Sequence, residues 1–164
     1  MTAGLRFRKV EPADLPRLHQ IRIAAFTPVH DGFREQIGEE MFQIHYGDWQ
    51  EKQGAHLDEA CALASCHQVY VALKDNNVVG FVSISLDEAR KSGELGLNAV
   101  DPSQQRAGIW TAMYKFALTK LKEAGAKMVL VGTGGDAAHL PARTAYSRAG
   151  FITSIPSIYY FKLL

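Results

Sequence analysis

The chain is poor in cysteine and has no long apolar run. Cys61 and Cys66 are the only two cysteines in 164 residues, too few for a disulfide scaffold and consistent with a reducing compartment. Residues 1–10 are polar and basic, without the apolar centre of a signal peptide, and nothing approaches the roughly eighteen apolar residues needed to cross a bilayer. A cytoplasmic protein with no membrane partner is therefore expected. The net charge is only +1, and no nucleic-acid recognition motif is present, which argues against nucleic acid as a partner. Repeats, low-complexity tracts and linkers are also missing. With 47% hydrophobic and 21% charged residues, the chain has the length and composition for one well-packed domain spanning 1–164.

Charge is unevenly spread. Residues 28–66 carry eight acidic against two basic side chains, and residues 102–164 carry eight basic against two acidic ones. An acidic segment beside a basic half suits an enzyme that joins a cationic molecule to a polyanion, although charged helix faces are also commonly just solvated.

Leu5 to Val10 reads as a first strand, followed by a helix to about Phe26 that Asp14 is placed to cap. Residues 28–66 read as mainly helical, with breaks near Gly32, Gly47 and Gly54. Gln68–Leu73 and Val78–Ser85 form an antiparallel hairpin around a Lys74–Asn77 turn. Lys127–Val131 reads as another short strand, and Phe151–Leu163 as a final pair of strand-like segments around Pro156. A strand, helix and strand over 94–131 require parallel pairing with a right-handed crossover. The fold class expected is α/β, a single mixed central sheet with helices on both faces.

The most informative stretch runs from Val100 to Thr111. Upstream, Leu95, Leu97 and Ala99 alternate with Glu94, Gly96 and Asn98, the period-2 pattern of a strand with one buried face. Downstream, Ile109, Met113, Phe116, Ala117 and Leu121 recur at helical spacing until Gly125. Between them is a glycine-containing turn into a helix N-terminus, where unpaired N–H groups and the helix dipole favour an anion such as a pyrophosphate. A glycine at 108 keeps side-chain bulk away from those amides.

Gln105-Arg106-Ala107-Gly108-Ile109-Trp110 resembles the acetyl-CoA signature Gln/Arg-x-x-Gly-x-Gly/Ala of the GCN5-related N-acetyltransferases, except at its last position. Asp136 to Phe151 resembles the second signature of that family, in which Asn-x-x-Ala and Tyr-x-x-x-Gly-Phe close the cofactor cleft, with His139 in place of the asparagine. The resemblance covers most of the chain except roughly residues 28–66. It implies a pair of splayed parallel strands and acetyl-CoA as co-substrate, with no metal. It also implies direct transfer of the acetyl group to the primary amine of a small cationic molecule or peptide. A homodimer is compatible with it.

The resemblance also implies site residues. Glu94 falls where several members place a catalytic base, and Tyr146 matches the tyrosine that commonly protonates the departing thiolate. Asn98, Ala99 and Val100 would face the pantetheine arm. Gln105, Arg106, Ala107, Gly108, Ile109, Trp110 and Thr111 would line the pyrophosphate turn, and His139 would adjoin the cofactor. The acceptor side is expected from the 28–66 segment, where Phe33, Phe42, Tyr46 and Trp49 offer apolar walls. As alternatives, Glu94 is an ordinary exposed glutamate, Tyr146 a core aromatic, and the protein a non-catalytic acyl-CoA-binding or sensing module.

Two other constellations carry less. Gly132-Thr-Gly-Gly-Asp-Ala137 formally fits a dinucleotide fingerprint, but Pro141 interrupts the helix that should follow and no later acid is present for a ribose. His56, Cys61, Cys66 and His67 lack the tight paired spacing of structural zinc sites, which leaves buried cysteines as the expectation.

Overall fold

A computed structural model describes residues 4–104 and 107–164. Strand β1 (Leu5–Lys9) leads into helices α1 (Leu15–Ile37), α2 (Glu39–Tyr46) and α3 (Trp49–Cys61). Strands β2 (Gln68–Lys74), β3 (Asn77–Asp87) and β4 (Ser92–Val100) follow, then α4 (Ile109–Glu123), β5 (Met128–Val131) and α5 (Leu140–Ala149). The five strands form one sheet in the order β1-β2-β3-β4-β5. The first three pairings are antiparallel and β4 with β5 is parallel.

Each face of the sheet carries its own core. Met113, Tyr114, Ala117 and Leu121 of α4 and Ala145 and Tyr146 of α5 pack with Val82, Ile84, Leu95 and Val100. On the opposite face Leu18 and Ile21 of α1 and Leu57 and Ala60 of α3 pack with Val71, Phe81 and Ala99. Burying an aliphatic side chain such as Leu18 or Leu121 contributes about 1.5–3 kcal/mol. At the hairpin between β2 and β3, Asp75 (φ 49°) and Asn76 (φ 66°) both take the left-handed conformation, which Asp and Asn tolerate and which a tight turn matching strand twist requires.

The alternation expected in β4 is interrupted by a bulge. Val82 pairs with Asn98 and Ile84 with Leu95, so Ser83 alone stands opposite both Gly96 and Leu97. The extra residue inverts the facing of everything beyond it. Leu95 packs on the α4 side, whereas Leu97 and Ala99 pack on the α1 side. Glu94 therefore does not share a face with Asn98, whose side chain is bonded to Tyr114 of α4.

The helical segment also differs from expectation. α1 continues past Phe26 and through Pro28 and Gly32 to Ile37, and the first break falls at Gly38, whose φ of 81° suits glycine. Gly47 ends α2 as expected. Gly54 breaks nothing, because it is buried inside α3 where a Cβ would lie 3.1 Å from Arg22 Nη2. Asp14 occupies the residue before α1 but makes no side-chain cap; it instead accepts from Arg8 at 2.6 and 2.9 Å and from the Glu11 amide.

The expected strands after Phe151 are not formed. Residues 151–164 have no regular secondary structure, and Ile152, Ile155, Ile158, Tyr159 and Tyr160 are exposed. β-branched and aromatic composition favours extended chain, but a strand needs a paired neighbour, and the tail is instead seated through Phe161, 5.4 Å from the His45 ring. Cys61 is half-buried, with burial pushing its thiol up to about 11, whereas Cys66 lies beyond the end of α3 and is exposed.

Candidate active site

The site begins where β4 and β5 part. Their ladder runs from Ser92 with Met128 to Leu95 with Val131 and then stops. Beyond that point the sheet opens into a cleft of about 270 Å³. Gly96, Leu97 and Asn98 form one side of the fork and Gly132 and Thr133 the other. Ala25, Phe26 and Val29 of α1 wall it from one face of the sheet, Trp110 of α4 with Ala142 and Tyr146 of α5 from the other, and His139 closes it from the loop after β5. Past Leu95, β4 has no strand partner on this side, so its backbone can bond a ligand instead.

Asn98 is held from two directions. Its Oδ1 accepts from the buried Tyr114 hydroxyl at 2.7 Å, and its Nδ2 donates to the Gly96 carbonyl at 2.7 Å. Burial pushes the Tyr114 phenol far above its ordinary value, so it remains a donor throughout the working range. The side chains of Ala99 and Val100 are fully buried in the two cores, leaving only their backbone to any ligand.

The N-terminus of α4 lies at the same end of the sheet. Gly108 precedes it with φ 75°, a left-handed conformation that favours glycine. The N-cap residue is Gly108, which has no side chain to cap the terminus, and among the described residues the first helical bond runs from the Ala112 amide to the Gly108 carbonyl. The amides of Ile109, Trp110 and Thr111 thus lack intrahelical acceptors, which makes an anion site with the positive end of the dipole behind it. Gln105 and Arg106 lie outside the described residues. Trp110, the departure from the first signature, packs 5.6 Å from Tyr114. Its indole Nε1 is buried without a hydrogen-bond partner among the described residues.

Tyr146 is 7% exposed and belongs both to the core and to the cleft wall. Its ring stacks on Tyr114 at 4.8 Å and meets Phe151 edge-on at 5.8 Å. Gly150, at φ 104°, ends α5 and turns the chain so that the Phe151 amide bonds to the Tyr146 carbonyl. The Gly-Phe of the second signature therefore fixes the tyrosine from behind. Glu94 is exposed, two residues short of the fork, and is not part of the cleft wall.

Phe33, Tyr46 and Trp49 converge on a residue the sequence reading passed over. His30 is buried, stacks on Trp49 at 3.9 Å and meets Phe33, Tyr46 and Phe42 at 5.6–6.5 Å. Burial lowers its pKa, opposed by its bond to the Phe26 carbonyl and assisted by the charge of His139. The i, i+3 spacing of His30 and Phe33 on one helix was the available signal. Phe33 continues the cluster to the cleft by stacking on His139 at 6.0 Å.

Asp136 precedes the helical turn that carries His139. Its carboxylate accepts from the Ala138 and His139 amides and from His139 Nδ1 at 2.6 Å. Burial pushes this carboxyl up, but the bond from His139, the charge of that ring when protonated and the backbone amides together hold it below the usual range. An Asp preceding a helical turn that carries a His three residues on is a capping pattern legible in sequence.

The sequence model of the Acetyltransferase (GNAT) family matches residues 34–151, well over half of the chain. No curated protein sequence matches significantly. Among solved structures, a GNAT family acetyltransferase from Brucella melitensis in complex with acetyl-CoA is 27% identical, with a TM-score of 0.60 over 91% of this chain and 83% of that one. The PaiA N-acetyltransferase from Thermoplasma acidophilum in complex with coenzyme A is 16% identical, with a TM-score of 0.71 over 93% and 92%. An aminoglycoside acetyltransferase from an uncultured soil metagenomic sample, in complex with sisomicin, is 20% identical, with a TM-score of 0.63 over 98% and 97%. The chain belongs to the GNAT acetyltransferase family, enzymes that use acetyl-CoA as donor.

Proposed function

We propose that this enzyme acetylates the primary amine of a small cationic molecule or peptide, by direct attack on acetyl-CoA while both substrates are bound. The observation that carries this reading is the fork. An unpaired stretch of β4 meets a helix N-terminus led by Gly108 and a cleft-lining tyrosine within one continuous site. In this reading the diphosphate rests on the amides of Ile109, Trp110 and Thr111, with Ala107 and Gly108 forming the turn. Gln105 and Arg106 would complete that turn. The pantetheine arm extends along Asn98, Ala99 and Val100, pairing with backbone that β5 leaves free.

Tyr146 then protonates the departing thiolate, its phenolic O–H being the proton donor. Phe33, Tyr46 and Trp49 wall the acceptor side, with exposed Glu40 nearby on α2 to attract a cation. The soil enzyme crystallised with sisomicin, an aminoglycoside, supports a small amine as acceptor.

The test is acetyl-CoA-dependent release of free thiol across a panel of primary amines, sisomicin included. Amine-dependent release with intersecting initial-velocity patterns supports the ternary complex. Parallel patterns would replace direct transfer by an acyl-enzyme. Tight acetyl-CoA binding without release for any amine would make the protein an acyl-CoA-binding module.

A further inference from the structure

The cleft wall includes a histidine, His139, that is paired with an aspartate outside the wall, Asp136, in the loop that follows β5. His139 Nδ1 and Asp136 Oδ2 are 2.6 Å apart, and the two side chains are 17% and 15% exposed. Because a carboxylate only accepts, the Nδ1–H donates, and the neutral ring then presents an unprotonated Nε2. His139 lines the same cleft as Tyr146, Asn98 and Trp110.

Three further features hold the pair. Asp136 is anchored by the Ala138 and His139 amides, so its carboxylate cannot swing away without losing the turn. Arg143 Nη1 donates to the carbonyls of Gly134 and Asp136 at 2.6 and 2.7 Å, clamping the loop from α5. At Gly134 a Cβ would lie 2.3 Å from Asp136 Oδ2 and 2.4 Å from His139 Nδ1. Only glycine leaves the room that the pair occupies.

We infer that His139 is the general base of the acetyl transfer and Asp136 the residue that orients it, an assignment that rests on the acetyltransferase reading above. No Asp or Glu stands among the described residues of the cleft wall. The acceptor ammonium gives one proton to His139 Nε2, which later passes it to solvent. The freed nitrogen lone pair forms the C–N bond to the acetyl carbon, and the C–S bond breaks with its electron pair on sulfur. Tyr146 protonates that sulfur and is reprotonated by the second proton leaving nitrogen. An ammonium and an acetyl thioester thus become an amide, a thiol and one released proton.

The proposal is tested with His139→Gln, Asp136→Asn and Gly134→Ala in the full chain. Asparagine also caps helical turns, so the loop should survive the second change. Expected is a loss of about 10²-fold or more in kcat for His139→Gln, in the range of general-base contributions. Its acetyl-CoA-induced shift in Tm should match the wild type, and the acid limb of kcat/KM should be lost. Among the described residues, Asp136, His30 and the cleft-lining Tyr146 are titratable groups around His139, and Arg143 is the charged group packed on its loop, so the limb should persist in His30→Phe. A kcat within threefold of wild type, or reduced acetyl-CoA affinity with unchanged kcat, would overturn the assignment.

A second readout needs no turnover. Nitrogen-15 NMR of the histidine rings should show His139 protonated at Nδ1 and bare at Nε2, becoming a tautomer mixture in Asp136→Asn. A neutral ring protonated at Nε2 would overturn the assignment even if no amine were acetylated, whereas failure of every amine with the expected tautomer would count against the acetyltransferase reading alone.

Discussion

Tyr114 donates a 2.7 Å hydrogen bond to Asn98 Oδ1, tying the middle of α4 to the strand where the sheet forks. The bond does more than fill a core position, because the same asparagine bonds the Gly96 carbonyl at the bulge. Tyr114→Phe leaves a buried acceptor without its donor, a loss of about 1–3 kcal/mol. Thermal unfolding should show Tm falling by roughly 2–4 °C for each kcal/mol in a domain of this size. An unchanged Tm would show that Asn98 finds another donor and that the tie is dispensable.

The bulge supplies a pairwise test. A Cβ at Gly96 would lie 2.6 Å from Ser83 Oγ, with the Ser83 Cβ at 3.8 Å. Ser83 Oγ is buried with no partner. Gly96→Ala should therefore cost about 1–3 kcal/mol by overpacking, whereas Ser83→Ala should be neutral or stabilising. The double variant should recover most of the loss, and denaturant unfolding of all four proteins gives the coupling energy. Additive effects would contradict the proposed close approach.

Much of this architecture was legible because it depends on local pattern. The Lys74–Asn77 turn, the apolar stripe of α4 and the glycine before it each follow from spacing or from a conformation that few residues adopt. The bulge was not legible, since Leu95, Leu97 and Ala99 alternate faultlessly in sequence while pairing with β3 places Leu95 on the opposite face from the other two. Length of α1 was also hidden, because Pro28 and Gly32 signal breaks that packing on the sheet overrides. Tail residues 151–164 have strand composition without a strand partner. Tyr146 and His139, which line the cleft, stand at motif positions, whereas Asp136 and His30 gain meaning only from what lies beside them.

His30 makes stability depend on acidity. Its folded pKa lies below the ordinary 6.5, chiefly through burial, so the unfolded chain takes up a proton more readily than the folded one. Stability from this group is complete above pH 6.5 and is lost as pH falls from there through the lower folded value. His30→Phe, which cannot titrate, should show a shallower decline in Tm over that window. A parallel decline in both proteins would place the acid sensitivity elsewhere.

Trp110 separates packing from recognition. Its indole Nε1 is buried and unpartnered among the described residues, so Trp110→Phe should leave the free protein's Tm unchanged or slightly raised. If the indole instead finds its partner in the bound donor, the same variant should lose about 0.5–1.5 kcal/mol of acetyl-CoA affinity, as for one neutral hydrogen bond. Titration calorimetry measures this, and tighter binding by the variant would show that the indole obstructs the cleft.

The central claim is that the fork between β4 and β5, with the N-terminus of α4, binds acetyl-CoA. Its most direct test is the thermal unfolding midpoint with acetyl-CoA, with CoA and with NAD as control. At about a hundred times its Kd, a ligand of the folded state stabilises it by about 2.7 kcal/mol, a rise of roughly 5–10 °C for a domain of this size. That rise is expected with both CoA species and not with NAD. No rise with either CoA species at millimolar concentration, or an equal rise with NAD, would contradict it.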